Sequence, residues 1–522
     1  MDGGTTEVAR PIPAASPAPD DRLRPDELAP LPRPIPTPPR DPIGFPGYPA
    51  RLRREEGDES VAVGIATCGR LPVVAAVGRF GFLGGSMGAV HGERVVQAMA
   101  EARRQRLPFL AVTSSGGARM QEGMVALTQM GRTAEGIRAL RADGLPVLAH
   151  FTHPTTGGVH ASYGALADVI LADAGAIVGF AGPRVVAAVT GERVGLAGPR
   201  EGDDRLPTGP PSHTAEAALS GGLVDELLAP GEARDRLSRW VTLVHPARRD
   251  GALPEATHVA EPTGEHAPWD AVRRARRPDR PSVRQLLPAV FDEHLELRGD
   301  RAGEDDPAAL VAVARLGQRT VVVLGTDRHG RAPGRKRRPG QATAAGYRKL
   351  QRGAALARRW GVPLVALIDT PGADPSAASD RAGLAVAIAE LFVAVLAVPG
   401  PTVAAVTGEG GSGGALALGV TDRLLQQDDA VFEVIAPEGA ASILYRDAGR
   451  AEEVAGWLAP TAAALRRLGL VDRVLPGPTT HEPAAAAAAL RAELVVQLRE
   501  LDALPDRLAR RRERYGPGQA RP

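Results

Sequence analysis

The stretch TGEGGSGGALALG, residues 407–419, places six glycines where an apolar strand-like run, 401–406, gives way to an apolar helix-like run. Glycine at such a junction lets the backbone approach a ligand closely. The first N–H groups of a helix form an electropositive pocket for an anionic oxygen. An ordinary turn has the same composition, so the weight of the reading comes from a second copy upstream. Gly117 and Gly372 both follow strand-like runs and lie 255 positions apart (117 to 372), while Gly157 and Gly413 lie 256 apart (157 to 413). Two glycine turns recurring in the same order at nearly the same spacing imply two copies of one fold.

Working outward, the first block alternates strand-like runs at 60–66, 71–77, 108–113, 146–151 and 169–171 with helical segments over 94–106 and up to 142. The second block repeats this, with strands at 320–324, 363–368 and 401–406 and helices over 344–360 and 381–398. Such alternation predicts an α/β protein built on buried parallel sheets. Residues 1–58 are proline-rich and are expected to be a disordered tail. The expected divisions are then 59–244 for the first domain, 245–281 for a linker rich in proline and charge, 282–515 for the second domain, and 516–522 for a loose end. Residues 199–214 read as an exposed loop, and 484–512 as a closing helical region.

A chain of 522 residues with a formal net charge of +2 carries no global attraction for nucleic acid or membrane. Cys68 is the single cysteine, which excludes an intrachain disulfide and a multi-cysteine zinc site, so no metal is expected. No apolar run reaches the roughly 18–20 residues that span a bilayer, and the N-terminus lacks a secretory pattern. The cytoplasm is the expected compartment.

Each half offers one turn after a strand, Gly116–Gly117 or Pro371–Gly372, and one Gly-Gly before a helix, Gly157–Gly158 or Gly413–Gly414. Backbone N–H pairs at these points can stabilise an oxyanion, and losing one such donor costs about 3–4 kcal/mol of barrier. Two preformed holes suit a reaction in which negative charge migrates between two carbonyl-type oxygens. Carboxyl transfer between a thioester enolate and the ureido oxygen of biotin fits, and no side-chain nucleophile is then required.

At this point the motifs become specific. FGFLGGSMGAVHGER (80–94), SSGGARMQEG (114–123), PTTGGVHAS (154–162) and GFAGPRV (179–185) resemble the beta-type carboxyltransferase subunit of bacterial acetyl-CoA carboxylase. LRGDR (297–301), GYRK (346–349), IDTPGA (368–373), GEGGSGGALALGV (408–420) and PEGAASIL (437–444) resemble the alpha-type subunit. The resemblance covers residues 60–515 and implies a tandem pair of crotonase-like (ClpP/crotonase) ββα-spiral domains. It implies transfer of carboxylate from a biotinylated carrier to acetyl-CoA, giving malonyl-CoA. Carried over by motif, Gly157 and Gly158 would hold the acyl-CoA enolate oxygen, with Gly116, Gly117, Ala118 and Arg119 on that side. Gly413 and Gly414 would hold the biotin ureido oxygen, with Gly410, Gly411, Pro371 and Gly372 around it. The four-cysteine zinc ribbon that commonly opens the bacterial beta subunit has no counterpart here, and the basic segment 328–338 follows the alpha pattern only loosely.

The two lysines, Lys336 and Lys349, are not in a biotinyl Met-Lys context, and no ATP-grasp pattern is present. Biotin carboxylase and the biotin carboxyl carrier protein are therefore expected as separate partners. The resemblance also implies a homo-oligomer, at least a dimer, with neither membrane nor nucleic acid as a partner. Propionyl-CoA or another short acyl-CoA, and a malonyl-CoA decarboxylase-type transferase, are the alternative activities. A scaffold or RNA-binding protein with a vestigial site is the non-enzymatic one. THPTTGGVHAS holds no carboxylate, which argues against a hydratase or isomerase. Among the side chains, Arg119 is expected to pair with Glu122, with a CoA phosphate as the other possibility. His91, His153 and His160 are read as polar turn residues, Glu409 as orienting a loop, Asp369 as a turn cap and Tyr347 as packing. The run 331–338 is either a phosphate-attracting patch or a solvated loop.

Overall fold

The computed structural model describes residues 21–190, 212–331 and 338–515. Two sheets organise it. The first contains β1 (Val61–Cys68), β2 (Leu71–Gly78), β3 (Phe109–Ser115), β4 (Val147–Thr156), β5 (Val169–Asp173) and β7 (Glu226–Leu228) in that order, with β6 (Val178–Gly179) paired to the far end of β4. The second contains β8 (Glu293–Leu297), β9 (Ala309–Leu316), β10 (Arg319–Thr326), β11 (Leu364–Thr370), β12 (Thr402–Gly411), β13 (Arg423–Gln427) and β15 (Arg473–Leu475), with β14 (Val431–Glu433) paired to the end of β12. The pairs β1–β2, β8–β9 and β9–β10 are antiparallel and every other pairing is parallel. All seven residues of β11, LVALIDT, are buried, as expected of a parallel strand covered on both faces.

The duplication is closer than the sequence spacing suggested. Helix Ala89–Gln105 and helix Ala344–Trp360 have the same length, and so do β3 and β11, and β4 and β12, each pair offset by the same 255 positions that separate Gly117 from Gly372. The bridge Met87–Ala118 recurs as Ala342–Ala373. The register shift between Thr113 and Ser115 recurs between Ile368 and Thr370. From Gly85 to Thr156 the two halves therefore correspond without insertion or deletion to Gly340 through Gly411. Upstream of that block the offset between β2 and β10 is smaller, so the basic segment 328–338 sits where the second copy carries extra residues. Residues 332–337 of it lie outside the described residues.

Thr343 caps the second long helix, its hydroxyl accepting from the Gly346 N–H, and Gly361 ends it at φ +68°. The start expected for the first long helix, at residue 94, is too late: GAVHGE at 88–93 enters the helix at Ala89. His91 is accordingly no turn residue. It is buried, faces Ser60 Oγ at 2.8 Å through Nδ1 and Tyr163 Oη at 3.1 Å through Nε2, and burial pushes its pKa down to about 3.

Residues 21–58 also depart from the disordered tail expected of them. Leu23 enters the core, Ala29 bridges Ile65 on β1, and Tyr48 is buried against Phe82 and Leu83. Isolated apolar residues in a proline-rich run carry no periodicity, yet Leu23 and Tyr48 are buried on the folded body, while Ile43 and Phe45 stay exposed. The segment 245–281 is likewise docked: it contains helix Pro268–Ala275, whose Ala271, Val272 and Ala275 pack on Val431 of β14. Residues 191–211, within which most of the expected loop 199–214 falls, lie outside the described residues, as do 1–20 and 516–522.

Buried ion pairs join the halves. Asp225, in the turn before β7, accepts from the N–H groups of Ile170 and Arg298 at 2.8 and 2.9 Å. Its carboxylate also pairs with Arg301 and, at 3.1 Å, with Arg352. Asp168 pairs with Arg359 at 2.7 Å. Beside them Gly222 (φ +65°) and Gly299 (φ +70°) touch so closely that a Cβ on either would collide with the other's Cα.

Candidate active site

In the first half, β3 ends in the turn Gly116–Ala118 and β4 ends at Thr156, where a helical turn Gly157–Val159 begins. The two ends abut: a Cβ built on Gly117 would lie 3.4 Å from Gly157 Cα and 3.8 Å from Gly158 N, and one built on Gly157 would collide with Gly117 Cα. Only glycine fits Gly157, which also holds φ +62°. Gly117 holds φ +123° and donates its N–H to Ser115 Oγ at 3.0 Å.

The amides divide into used and free. Gly116 N–H donates to Gly84 O and Gly157 N–H to Phe180 O, each at 2.9 Å. Neither is then available to an oxyanion, which corrects the expectation for Gly157. Ala118 is half-buried and its N–H has no acceptor among the described residues. Gly158 stands second in its helical turn, where N–H groups lack an intrahelical acceptor. At this turn Ala118 and Gly158 are the residues whose N–H groups are left without a protein acceptor among the described residues.

The second half repeats this at the same offset of 255 positions. Gly372 again holds φ +123° and donates to Thr370 Oγ1 at 3.0 Å. Gly411 packs on Pro371, and Gly410 on Phe432, so these residues wall the turn. The residue that matches Gly157 is Ser412, at φ +62°, and the match to Gly158 is Gly413. Gly413 is exposed, and a Cβ there meets nothing within 4 Å. Gly414, expected beside it as a donor, is buried beneath the surface, and a Cβ there would collide with the Tyr347 hydroxyl. Ala373 and Gly413 stand here where Ala118 and Gly158 stand in the first half. Sequence matching aligned Gly-Gly with Gly-Gly and so slipped by one residue. Only the backbone angle reveals that a serine occupies the left-handed position.

Arg119 is 1% exposed. Its guanidinium pairs with Glu59 and with Glu122 at 3.1 Å, and also reaches Tyr48 Oη, Ser60 Oγ and Ser86 O. Every donor is used within the protein, so the alternative of a CoA phosphate falls and the ion pair stands. Burial works to raise the Glu59 carboxyl, but Arg119 holds it below its usual range. The Glu122 carboxylate accepts the Ala89 N–H at 2.6 Å, which ties the start of the long helix to the turn. Sequence reasoning missed Glu59 and Tyr48, for which separations of 60 and 71 residues from Arg119 left no local signal.

On the second side a carboxylate cluster lies under the turn. Glu409 donates its N–H to Asp369 Oδ1 at 3.0 Å and pairs with Arg276 at 2.7 Å and Arg338 at 3.1 Å. Arg276 also pairs with Glu438. Burial pushes Asp369 up to about 7 and Glu433 up to about 8, against the opposing charges of Arg328 and Arg276. His160 packs edge-on to Phe151 at 5.4 Å, and burial lowers its pKa to about 4, so it is neutral. No group of three or more His, Cys, Asp or Glu among the described residues could hold a metal ion, and no helix there is long and apolar enough to cross a membrane.

Comparison with known proteins agrees with this geometry. Residues 256–516 match the family described as acetyl co-enzyme A carboxylase carboxyltransferase-like. The chain is 41% identical over 495 residues to acetyl-coenzyme A carboxylase carboxyl transferase subunits beta/alpha of Salinispora tropica, covering 91% of this chain and 85% of that one. It is 39% identical over 496 residues to the protein of the same name from Saccharopolyspora erythraea, covering 92% and 85%. A transcarboxylase 12S crystal structure with hydrolysed methylmalonyl-coenzyme A bound superposes with a TM-score of 0.69 at 23% identity, over 92% of this chain and 87% of that one. The fold of both halves is thus the crotonase-like one. With identity above 30% sustained over most of both sequences, the chain belongs to the acetyl-coenzyme A carboxylase carboxyltransferase family, with beta-type and alpha-type units in one polypeptide.

Proposed function

We propose that the chain is the carboxyltransferase component of an acetyl-CoA carboxylase, moving a carboxylate from carboxybiotin to acetyl-CoA to give malonyl-CoA. The observation that carries this reading is the duplicated donor pair, Ala118 with Gly158 and Ala373 with Gly413, each at the junction of a strand turn and a helix start. Ala118 and Gly158 would hold the thioester oxygen as the α-carbon takes on carbanion character. Ala373 and Gly413 would hold the ureido oxygen of biotin. Biotin, when bound, supplies the activated carboxylate at its ring nitrogen. The second turn has room for such a group: Gly413 is exposed, and the space on the side of its Cα where a Cβ would stand is open. Fixed amides in a partly dry site stabilise charge without reorganising, and each donor is worth about 3–4 kcal/mol of barrier.

Biotin belongs, in this reading, to a separate biotin carboxyl carrier protein charged by a separate biotin carboxylase, all in the cytoplasm. Exposed apolar side chains flank both turns, Met120, Met124 and Phe180 on one side and Leu416, Val434 and Ile443 on the other. Faces of this kind suit contact between copies, and a homodimer that sets a beta-type turn of one protomer against an alpha-type turn of another would cover them. The deciding experiment is reconstitution with a biotinylated carrier and its carboxylase, comparing acetyl-, propionyl- and butyryl-CoA. Malonyl-CoA formation from a species of at least dimeric mass is expected. A fully active monomer refutes the shared site, and no biotin-dependent transfer to any acyl-CoA refutes the function.

A further inference from the structure

The two donor turns superpose so closely that their differences are informative. Around Gly157 and its counterpart Ser412 the backbone is the same, at φ +62° in both. The first half keeps the residue that holds this conformation without strain, and the second carries a side chain there. Ser412 is exposed at the rim, next to the Gly413 amide, and its hydroxyl has no partner among the described residues. Beneath it a second hydroxyl is equally singular. Tyr347 is fully buried and its Oη lacks any hydrogen-bond partner, packed where a side chain on Gly414 would otherwise stand. The matching positions in the first half are Gly92 and Val159, so large and small residues have changed places. The second hole is therefore the polar one, with a hydroxyl at its rim and another under its floor.

We propose that Ser412 is the ligand-contacting residue that makes the second hole selective for a cyclic urea, an inference that rests on the carboxyltransferase reading above. A ureido ring offers both N–H donors and a carbonyl acceptor within one small plane, and a hydroxyl can serve either. A thioester offers no N–H, and the bare Gly157 leaves the first hole open for it. Tyr347 acts as a positioning residue, filling the space under Gly414 and supporting the helical turn that aims the Gly413 amide.

The test uses Ser412→Ala and Ser412→Gly in the full-length protein. Ser412→Gly relieves a left-handed side chain, so its melting temperature is expected to equal or exceed that of the unaltered protein. Biocytin, the lysine adduct of biotin, is titrated in the absence of any acyl-CoA and followed by ligand-observed NMR. Both variants should bind biocytin roughly 2–10-fold more weakly, the loss of one neutral hydrogen bond, while malonyl-CoA binds as before. Unchanged biocytin affinity in both variants, in a protein that still transfers carboxylate from malonyl-CoA to biocytin, overturns this inference alone. Weakened malonyl-CoA binding with biocytin untouched overturns the assignment of the two holes. Absence of transfer and of biocytin binding in the unaltered protein overturns the carboxyltransferase reading with it.

Discussion

A methyl group added at Gly413 meets no protein atom within 4 Å, and the residue lies outside the left-handed region. Gly413→Ala therefore separates the fold from the chemistry. Within the helix Ser412–Gly419 alanine is favoured over glycine by up to about 1 kcal/mol, so stability should hold or rise slightly. The same methyl group stands over the amide proposed to bind the ureido oxygen. Displacing that oxygen removes a donor worth about 3–4 kcal/mol of barrier, which is roughly 10²–10³ in kcat. The assay is transfer from malonyl-CoA to biocytin, with chemical denaturation run in parallel. Gly131→Ala is the matched control, since a Cβ there also meets nothing within 4 Å and the site lies in the helix Gly123–Ala142 away from both turns. Gly413→Ala with kcat/KM within two-fold of the unaltered protein would refute the assignment of this amide.

Arg119→Met should lower unfolding free energy by about 3–5 kcal/mol, because it leaves Glu59 and Glu122 buried and unpaired; a loss under about 1 kcal/mol in urea denaturation counts against the network. Glu433, raised to about 8 in the folded chain from 4.5, holds a proton that the unfolded chain releases. Its contribution to stability is present below pH 4.5 and is lost as pH rises through 8, so wild-type stability relative to Glu433→Gln should fall by on the order of 3 kcal/mol across that window. Parallel urea curves at pH 5 and pH 8 with no such divergence would show the carboxyl to be ionised throughout. Asp225→Ala removes the acceptor shared by Arg301 and Arg352 and should expose the seam between the halves to proteolysis well before global unfolding; an unchanged digestion pattern would contradict that.

The long helices and the parallel core strands were legible because their signals are local. Residues 344–360 show amphipathic spacing bounded by Thr343 and Gly361, and the helix found there has those bounds. What escaped was non-local. The strands β8 and β13 were not foreseen: EHLEL and RLLQQ mix charge or amide groups with apolar residues, and they become strands by pairing with neighbours already in place. The site was readable as far as its glycines, since left-handed turns and close approach demand that residue. Which amide was already engaged, as for Gly157, depends on Phe180 arriving from another strand end, and no spacing shows that. Ser412 was hidden for the opposite reason, because a serine there breaks the pattern that glycine matching follows.

The contact between Gly222 and Gly299 has a consequence for how this chain can vary. Each position lacks room for even one carbon because of the other, and both need a left-handed backbone. No stepwise route through single substitutions relaxes the constraint, and a paired change makes the collision worse. Drift at this point is locked on both sides at once, so the join between the halves should stay fixed while the surfaces around it diverge.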